Sequence, residues 1–384
     1  MPSPIPAYTQ YSGIWNISSQ ANAKAAGTWP SPPPVYYLYS WGQNNNEGAL
    51  GLGNITNYSS PKQVGSLTNW AFVSAGRFLS GAVKTDGTLW TWGYSLYGSL
   101  GYPAGINISS PIQVGALTTW SIVSMGDSAG AAIKTDGTLW TWGQNAQGQL
   151  GDGTITNRSS PVQIGALTTW TNVQMPGFFC CAIKSDGTIW TWGGNNQGQL
   201  GLGNRTYYSS PKQVGALTTW SKISATAATC FAIKTDGTLW AWGRGIDGQI
   251  GNSSALSRSS PVQVGSLTNW LSVASGSYNT YAIKTDGTLW GWGDGLGGAW
   301  GNTTTYSSPK QIGALTTWAK VSIYGLTGQA ITTSSALYAW GNNSLGQIGD
   351  GTQTARSSPV QIGALTKWLS ASSGYTHTLG LLLG

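Results

Sequence analysis

Short apolar runs alternate with turn residues along this chain, and the alternation returns with a period of 50 residues over most of its length. In the stretch 111–160 the pattern predicts four strands. Strand a is Pro111-Ile112-Gln113-Val114 and strand b is Trp120-Ser121-Ile122-Val123-Ser124. Strand c is Ala131-Ala132-Ile133-Lys134 and strand d is Leu139-Trp140-Thr141-Trp142. β-Branched and aromatic residues suit a pleated surface, and the flanks carry turn residues. Between c and d stands Asp136-Gly137, a hairpin signal because Gly accepts a positive φ without a Cβ clash. A long loop from Gly143 to Ser160 follows d, with Asn145, Gly148, Gln149, Leu150 and Gly151 in it.

A repeat of this length with four short strands predicts a propeller blade. Three markers each count the blades as seven. Trp-Gly begins at Trp41, Trp92, Trp142, Trp192, Trp242, Trp292 and Trp340. Ser-Ser-Pro ends at Pro61, Pro111, Pro161, Pro211, Pro261, Pro309 and Pro359. Strand b opens at Trp70, Trp120, Trp170, Trp220, Trp270, Trp318 and Trp368. The segment from Thr376 to Gly384 aligns with strand c, and Tyr37 to Trp41 aligns with strand d. Pairing them would complete one hairpin, close the ring and remove a free sheet edge. The fold class predicted is therefore all-β, a seven-bladed β-propeller over residues 35–384. Strand a begins with Pro, which cannot donate to a ladder, and is expected outermost. Strand b repeats a small polar residue at Ser74, Ser124, Ser224, Ser322 and Ser372, and is expected innermost.

Residues 1–34 lie outside the repeat and hold too few apolar residues for a core of their own. They read as an arm ending in the stiff spacer Pro32-Pro33-Pro34. No apolar run is long enough to cross a membrane, and no basic stretch leads into an apolar one, so neither membrane insertion nor a secretory signal is expected.

Composition adds a core of indoles: the chain has 22 Trp and 56 Gly. The formal net charge is +7, yet only 8% of residues are charged. Lys84, Lys134, Lys184, Lys234 and Lys284 hold one place in five repeats, which spreads charge around a ring. They are expected on a solvated face, and no nucleic-acid groove is predicted. Cys180, Cys181 and Cys230 read as small core-filling thiols, not as a disulfide or metal set.

The repeats resemble those of the regulator of chromosome condensation family. The matching residues are the Asp-Gly hairpin, Leu-Trp-x-Trp-Gly, and Asn145-Ala146-Gln147-Gly148-Gln149-Leu150-Gly151. The resemblance covers residues 35–384 and implies a seven-bladed propeller. The family includes a nucleotide exchange factor for a small nuclear GTPase, a β-lactamase inhibitor, and many bacterial and viral proteins. Its usual Gly-x-x-His survives only as Gly374-Tyr375-Thr376-His377. Leu79, Ala129, Phe179, Thr229, Asn279 and Thr327 stand at the His position elsewhere. In the arm, Tyr11-Ser12-Gly13-Ile14-Trp15 and Gly27-Thr28-Trp29-Pro30 resemble segments in structural proteins of tailed marine bacteriophages.

Catalytic chemistry finds few components. His377 is the one histidine and Glu47 the one glutamate. Asp86, Asp136, Asp186, Asp236, Asp286, Asp152 and Asp350 read as turn residues. General acid–base work needs two converging groups, and nothing pairs with His377 by sequence. No metal-ligand spacing or phosphate loop is present, so no enzyme, metal or cofactor is expected.

Internal variation is the useful signal. The framework is nearly constant, while the b–c junction changes in every repeat. Phe78, Phe178, Phe179, Tyr278, Tyr324 and Tyr375 fall there and are expected to cluster at one end of the ring. Variable aromatic tips on a constant scaffold describe a binding face; the plainer alternative is a plug for the channel mouth. The function expected is non-catalytic recognition on a phage particle, with a virion protein or a host surface receptor as partner. The alternatives are a cytoplasmic or extracellular protein-binding propeller, as inhibitor or exchange factor, and a glycan-binding lectin.

Overall fold

A computed structural model describes residues 34–44, 47–103, 105–295 and 304–384. The arm at 1–33 and Trp300 lie outside the described residues. The rest forms seven four-stranded antiparallel sheets. Each sheet runs b-c-d-a, as in Trp120–Met125, Ala129–Lys134, Leu139–Gly143 and Arg158–Gln163. We number the blades 1 to 7 from the strand b that opens at Trp70. Every strand b touches the strand b of both neighbouring blades, so seven inner strands form a closed ring.

Strand a is outermost, but it pairs with the strand d that precedes it in sequence. Ile108–Gln113 therefore belongs to the blade of Leu89–Gly93. The sequence unit 111–160 is thus one strand out of step with the sheet. The proline is not at the start of strand a. Pro61 sits fourth in Tyr58–Gln63, where a bulge takes it out of the ladder.

The ring closes where expected. Tyr36–Gly42 pairs with His377–Leu383 at seven successive positions, from Tyr36↔Leu383 to Gly42↔His377. Blade 7 thus takes two strands from each end of the chain.

Seven hydrophobic clusters occupy the seven seams between blades. The Trp-Gly tryptophan is fully buried in each of them. In six of the seven the indole also donates to the long loop of the preceding blade, as in Trp142 Nε1 to Ser99 O at 3.0 Å and Trp192 Nε1 to Gln149 O at 3.0 Å. The loop is braced in turn by Asn145, whose amide donates to Thr154 O and Thr156 O while its oxygen accepts from Leu150 N. This explains the Asn-x-x-Gly-Gln-Leu-Gly motif as the device that lays one blade's loop on the next. Glycine must follow the tryptophan, because Gly143 takes φ +100° and a Cβ there would lie 2.5 Å from Ser128 O.

The repeated serines of strand b join the inner ring. Ser74 Oγ accepts from Met125 N at 2.9 Å, and Ser124 Oγ from Met175 N at 2.9 Å. Blades 3 and 5 carry Gln174 and Ala274 at this place. Other contacts cross the seams those two blades make with their successors: Cys181 Sγ lies 3.4 Å from Cys230 Sγ, and Tyr281 packs on Trp340 with ring centroids 5.0 Å apart. All three cysteines are free and buried, as expected of core fillers.

The five repeated lysines correct the sequence reading. Lys84, Lys134, Lys184 and Lys284 are buried, and Lys234 is half-buried. Each ammonium sits over two indoles; Lys134 Nζ is 3.8 Å from the Trp140 ring centroid and 5.0 Å from that of Trp120. A cation over an aromatic face gains about 0.5–2 kcal/mol, more as water is excluded. The neighbouring turn fixes the cage. Asp136 Oδ1 accepts from Thr138 N and Oγ1, and Thr138 Oγ1 accepts from Trp140 Nε1 at 2.9 Å. The Lys-Thr-Asp-Gly-Thr-Leu-Trp signature is therefore structural chemistry, with its lysine turned inward.

Candidate recognition face

The b–c turns and the d–a loops lie at the same end of the ring. The backbone shows it: Tyr94 N donates to Phe78 O, Gln144 N to Ser128 O, Gly194 N to Phe178 O, and Asp294 N to Tyr278 O. The Asp-Gly turns and the a–b connections share the other end, where Trp120 N donates to Gly87 O. Sequence variation concentrates on the first end. There strands b and c are joined by turns whose residues differ from blade to blade.

The six aromatics named from sequence divide into three groups. Phe178, Tyr278 and Tyr375 are exposed, at 40%, 37% and 40% of their surface. Phe78 is half-buried and packs edge-on against Tyr375 and Tyr94, each with ring centroids 6.5 Å away. The other two do not form part of the face. Phe179 is fully buried in the seam between blades 3 and 4, because it begins strand c and points into the sheet packing.

Tyr324 is the plug. It belongs to blade 6, yet its hydroxyl lies 2.5 Å from Asp127 Oδ1 of blade 2 and 2.6 Å from Pro176 O of blade 3. The side chain therefore crosses the channel. A phenol has one proton, and a carbonyl can only accept. Both contacts are satisfied together when the Asp127 carboxyl carries a proton, and burial pushes its pKa up, against the pull of Tyr324 and Arg77. Burial likewise holds the Tyr324 phenol well above its usual range. Of the two alternatives offered from sequence, the plug describes Tyr324, while Phe178, Tyr278 and Tyr375 stay exposed.

Sequence reasoning missed Arg77 and Tyr94 as parts of this face. Arg77 is exposed, and its guanidinium lies over the Phe78 and Tyr375 rings, 5.2 and 5.3 Å from their centroids. Tyr94 is the residue after Trp-Gly. That place reads Gln144, Gly194, Arg244, Asp294 and Asn342 in later blades, a second variable row that could have been found. Arg244 there stacks 5.2 Å from the Tyr278 ring centroid and pairs with Asp247 at 2.8 Å.

His377 is sealed in the seam between blades 7 and 1, 1% exposed. Ser80 Oγ donates to Ala49 O at 2.8 Å, so at 2.9 Å from His377 Nε2 it accepts the ring N–H. Burial pushes the His377 pKa down to about 4. The unfolded chain takes up a proton near pH 6.5 and the folded chain does not. Stability is therefore complete above pH 6.5 and falls by about 3 kcal/mol on descending to pH 4. Urea unfolding across that range should show the slope. His377→Asn, which installs the residue that blade 5 carries as Asn279, should flatten it. A slope unchanged by this substitution would place the titration elsewhere.

Among the described residues no three His, Cys, Asp or Glu side chains converge as a metal site. No described helix is long and apolar enough to cross a membrane.

Known proteins share this architecture. Human WBSCR16 superimposes with a TM-score of 0.82 at 18% identity, covering 91% of this chain and 99% of its own. Prp20p from Saccharomyces cerevisiae, described with its binding to Gsp1p and histones, gives 0.80 at 17% identity, covering 91% and 92%. Yeast RCC1 (Prp20) bound by Kap60 gives 0.80 at 18% identity, covering 99% and 95%. No curated protein matches by sequence. The RCC1-like domain matches residues 37–380, nearly the whole propeller. With seven blades closed by its own end strands, the chain belongs to the RCC1-like domain family.

Proposed function

We propose that this chain is a non-catalytic, protein-binding propeller that recognises its partner through the face of b–c turns and d–a loops. The observation that carries this reading is the contrast between a nearly constant framework and exposed, variable aromatics at one end. Large rigid rings presented at a surface are the usual anchors of protein interfaces. The likeness to Prp20p, which binds Gsp1p and histones, and to yeast RCC1, which Kap60 binds, supports the same class of role. A glycan platform has less support, since the repeat tryptophans are committed to seams and lysine cages. Carriage on a phage particle was read from the arm, which lies outside the described residues, and none of the similar proteins named here is a virion protein.

The test begins with a photo-cross-linking amino acid at Tyr278, and at Leu267 of the opposite end as control, in the cells that make the protein. The captured partner is then titrated against the triple variant Phe178→Ala, Tyr278→Ala, Tyr375→Ala. Each truncation of a central anchor costs on the order of 2 kcal/mol, without strict additivity, so binding should fall at least about a hundredfold. The melting curve should move little, because these rings are not seam residues. Capture at Leu267 alone, or unchanged affinity in the triple variant, would reject the face.

A further inference from the structure

Two described arginines lie over aromatic rings, Arg77 and Arg244, and of these Arg77 has no carboxylate partner. Arg158, Arg244 and Arg356 at this end each pair with an aspartate, at 2.7, 2.8 and 2.6 Å. Arg77 has no carboxylate within 4.0 Å among the described residues. Asp127 feels its charge, but Tyr324 engages that carboxyl within the plug. The Arg77 backbone is fixed as well, its N–H donating to Gly126 O at 3.1 Å. Tyr375, which supplies one of its aromatic neighbours, is anchored by donation from its own N–H to Gly76 O at 3.2 Å.

Stacking on ring faces satisfies the planar side of a guanidinium and leaves its N–H fork outward. Phe78, Tyr94 and Tyr375 form an aromatic floor around that fork. A polyanion would ask for several unpaired cations in a row, whereas the arginines of the flanking blades, Arg158 of blade 2 and Arg356 of blade 6, are paired with aspartates. The chemistry that fits is one carboxylate beside an apolar side chain.

We infer that the patch of Arg77, Phe78, Tyr94 and Tyr375, at the junction of blades 7 and 1, binds a protein segment that presents an aspartate or glutamate next to an apolar residue. This rests on the protein-recognition reading above and names the chemistry of the partner. The carboxylate takes the Arg77 fork in a bidentate pair, and the apolar neighbour lies on the rings.

The probe is a displayed library of random dodecapeptides, screened against the full chain. Selected peptides should carry Asp or Glu beside an apolar residue. Changing that acid to its amide should weaken binding about tenfold, and Arg77→Gln should weaken it by the same factor. Combining the two changes should add little, because they remove one contact. Arg77→Lys should recover only part, since a point charge cannot form the fork. A melting curve of Arg77→Gln matching the parent shows that the loss is not unfolding. Selection of no peptide, of peptides without acids, or of acidic peptides indifferent to Arg77→Gln would overturn the proposal. Peptides lost by the triple aromatic variant but kept by Arg77→Gln would overturn it while leaving the recognition face standing.

Discussion

A chain ending before His377 is expected to lose cooperative folding of the ring. The strand His377–Leu383 pairs on one side with Tyr36–Gly42 and on the other with Trp368–Ser373. Its removal takes away Leu379, Leu381 and Leu382, all buried in the seams of blade 7. Burying three leucines contributes about 5–9 kcal/mol, comparable with the whole net stability of about 5–15 kcal/mol of a folded protein. The deletion also bares the edges of Tyr36–Gly42 and Trp368–Ser373, both of which pair with the deleted strand. A thermal melt followed by tryptophan fluorescence should show a transition that is lost or lowered by at least about 10 °C. Leu379→Asp should move in the same direction without shortening the chain, since it buries a charge in the seam. A melt unchanged in both variants would mean that the ring does not depend on its closing strand.

Among single substitutions the largest cost is expected from Trp142→Ala. The indole is fully buried between blades 1 and 2 and donates across the seam to Ser99 O. The cavity alone should cost about 3–5 kcal/mol, and the orphaned carbonyl adds to it. Trp140→Ala, two residues away, should cost less. That ring is half-buried, and its partners are Lys134 and Thr138 of its own blade, not a neighbouring one. Urea unfolding of the two variants side by side decides the order. If Trp140→Ala proves the more damaging, the lysine cage and not the seam holds the blades together.

The repeat made most of the fold legible. Trp-Gly, the Asp-Gly hairpin and the b-strand tryptophan recur because each sits at one mechanical joint, and counting them counts the joints. The closing hairpin followed from aligning two ends against the same unit. The sheet boundary did not follow, because sequence order cannot show that Ile108–Gln113 pairs backward with Leu89–Gly93. The lysines misled for a related reason. A charge repeated at one position looks solvated until the two indoles that enclose it, 14 residues before and 6 after in the case of Lys134, are brought together in space. At the candidate site, variability singled out the b–c turns but not the direction of each side chain. Phe178 and Phe179 are adjacent, and strand geometry sends one outward and one into the seam. Tyr324 reaches across the channel to two other blades, a contact with no trace in local sequence.

The claim that one end of the ring recognises a protein is tested most directly by hydroxyl-radical footprinting with the captured partner bound and absent. The molecule carries its own control. Leu67, Leu117, Leu167, Leu217, Leu267, Leu315 and Leu365 are exposed on the a–b connections at the opposite end. The account predicts protection of Phe78, Phe178, Tyr278 and Tyr375, with the seven leucines oxidised at unchanged rates. Protection of the leucines with the four aromatics left reactive would contradict it.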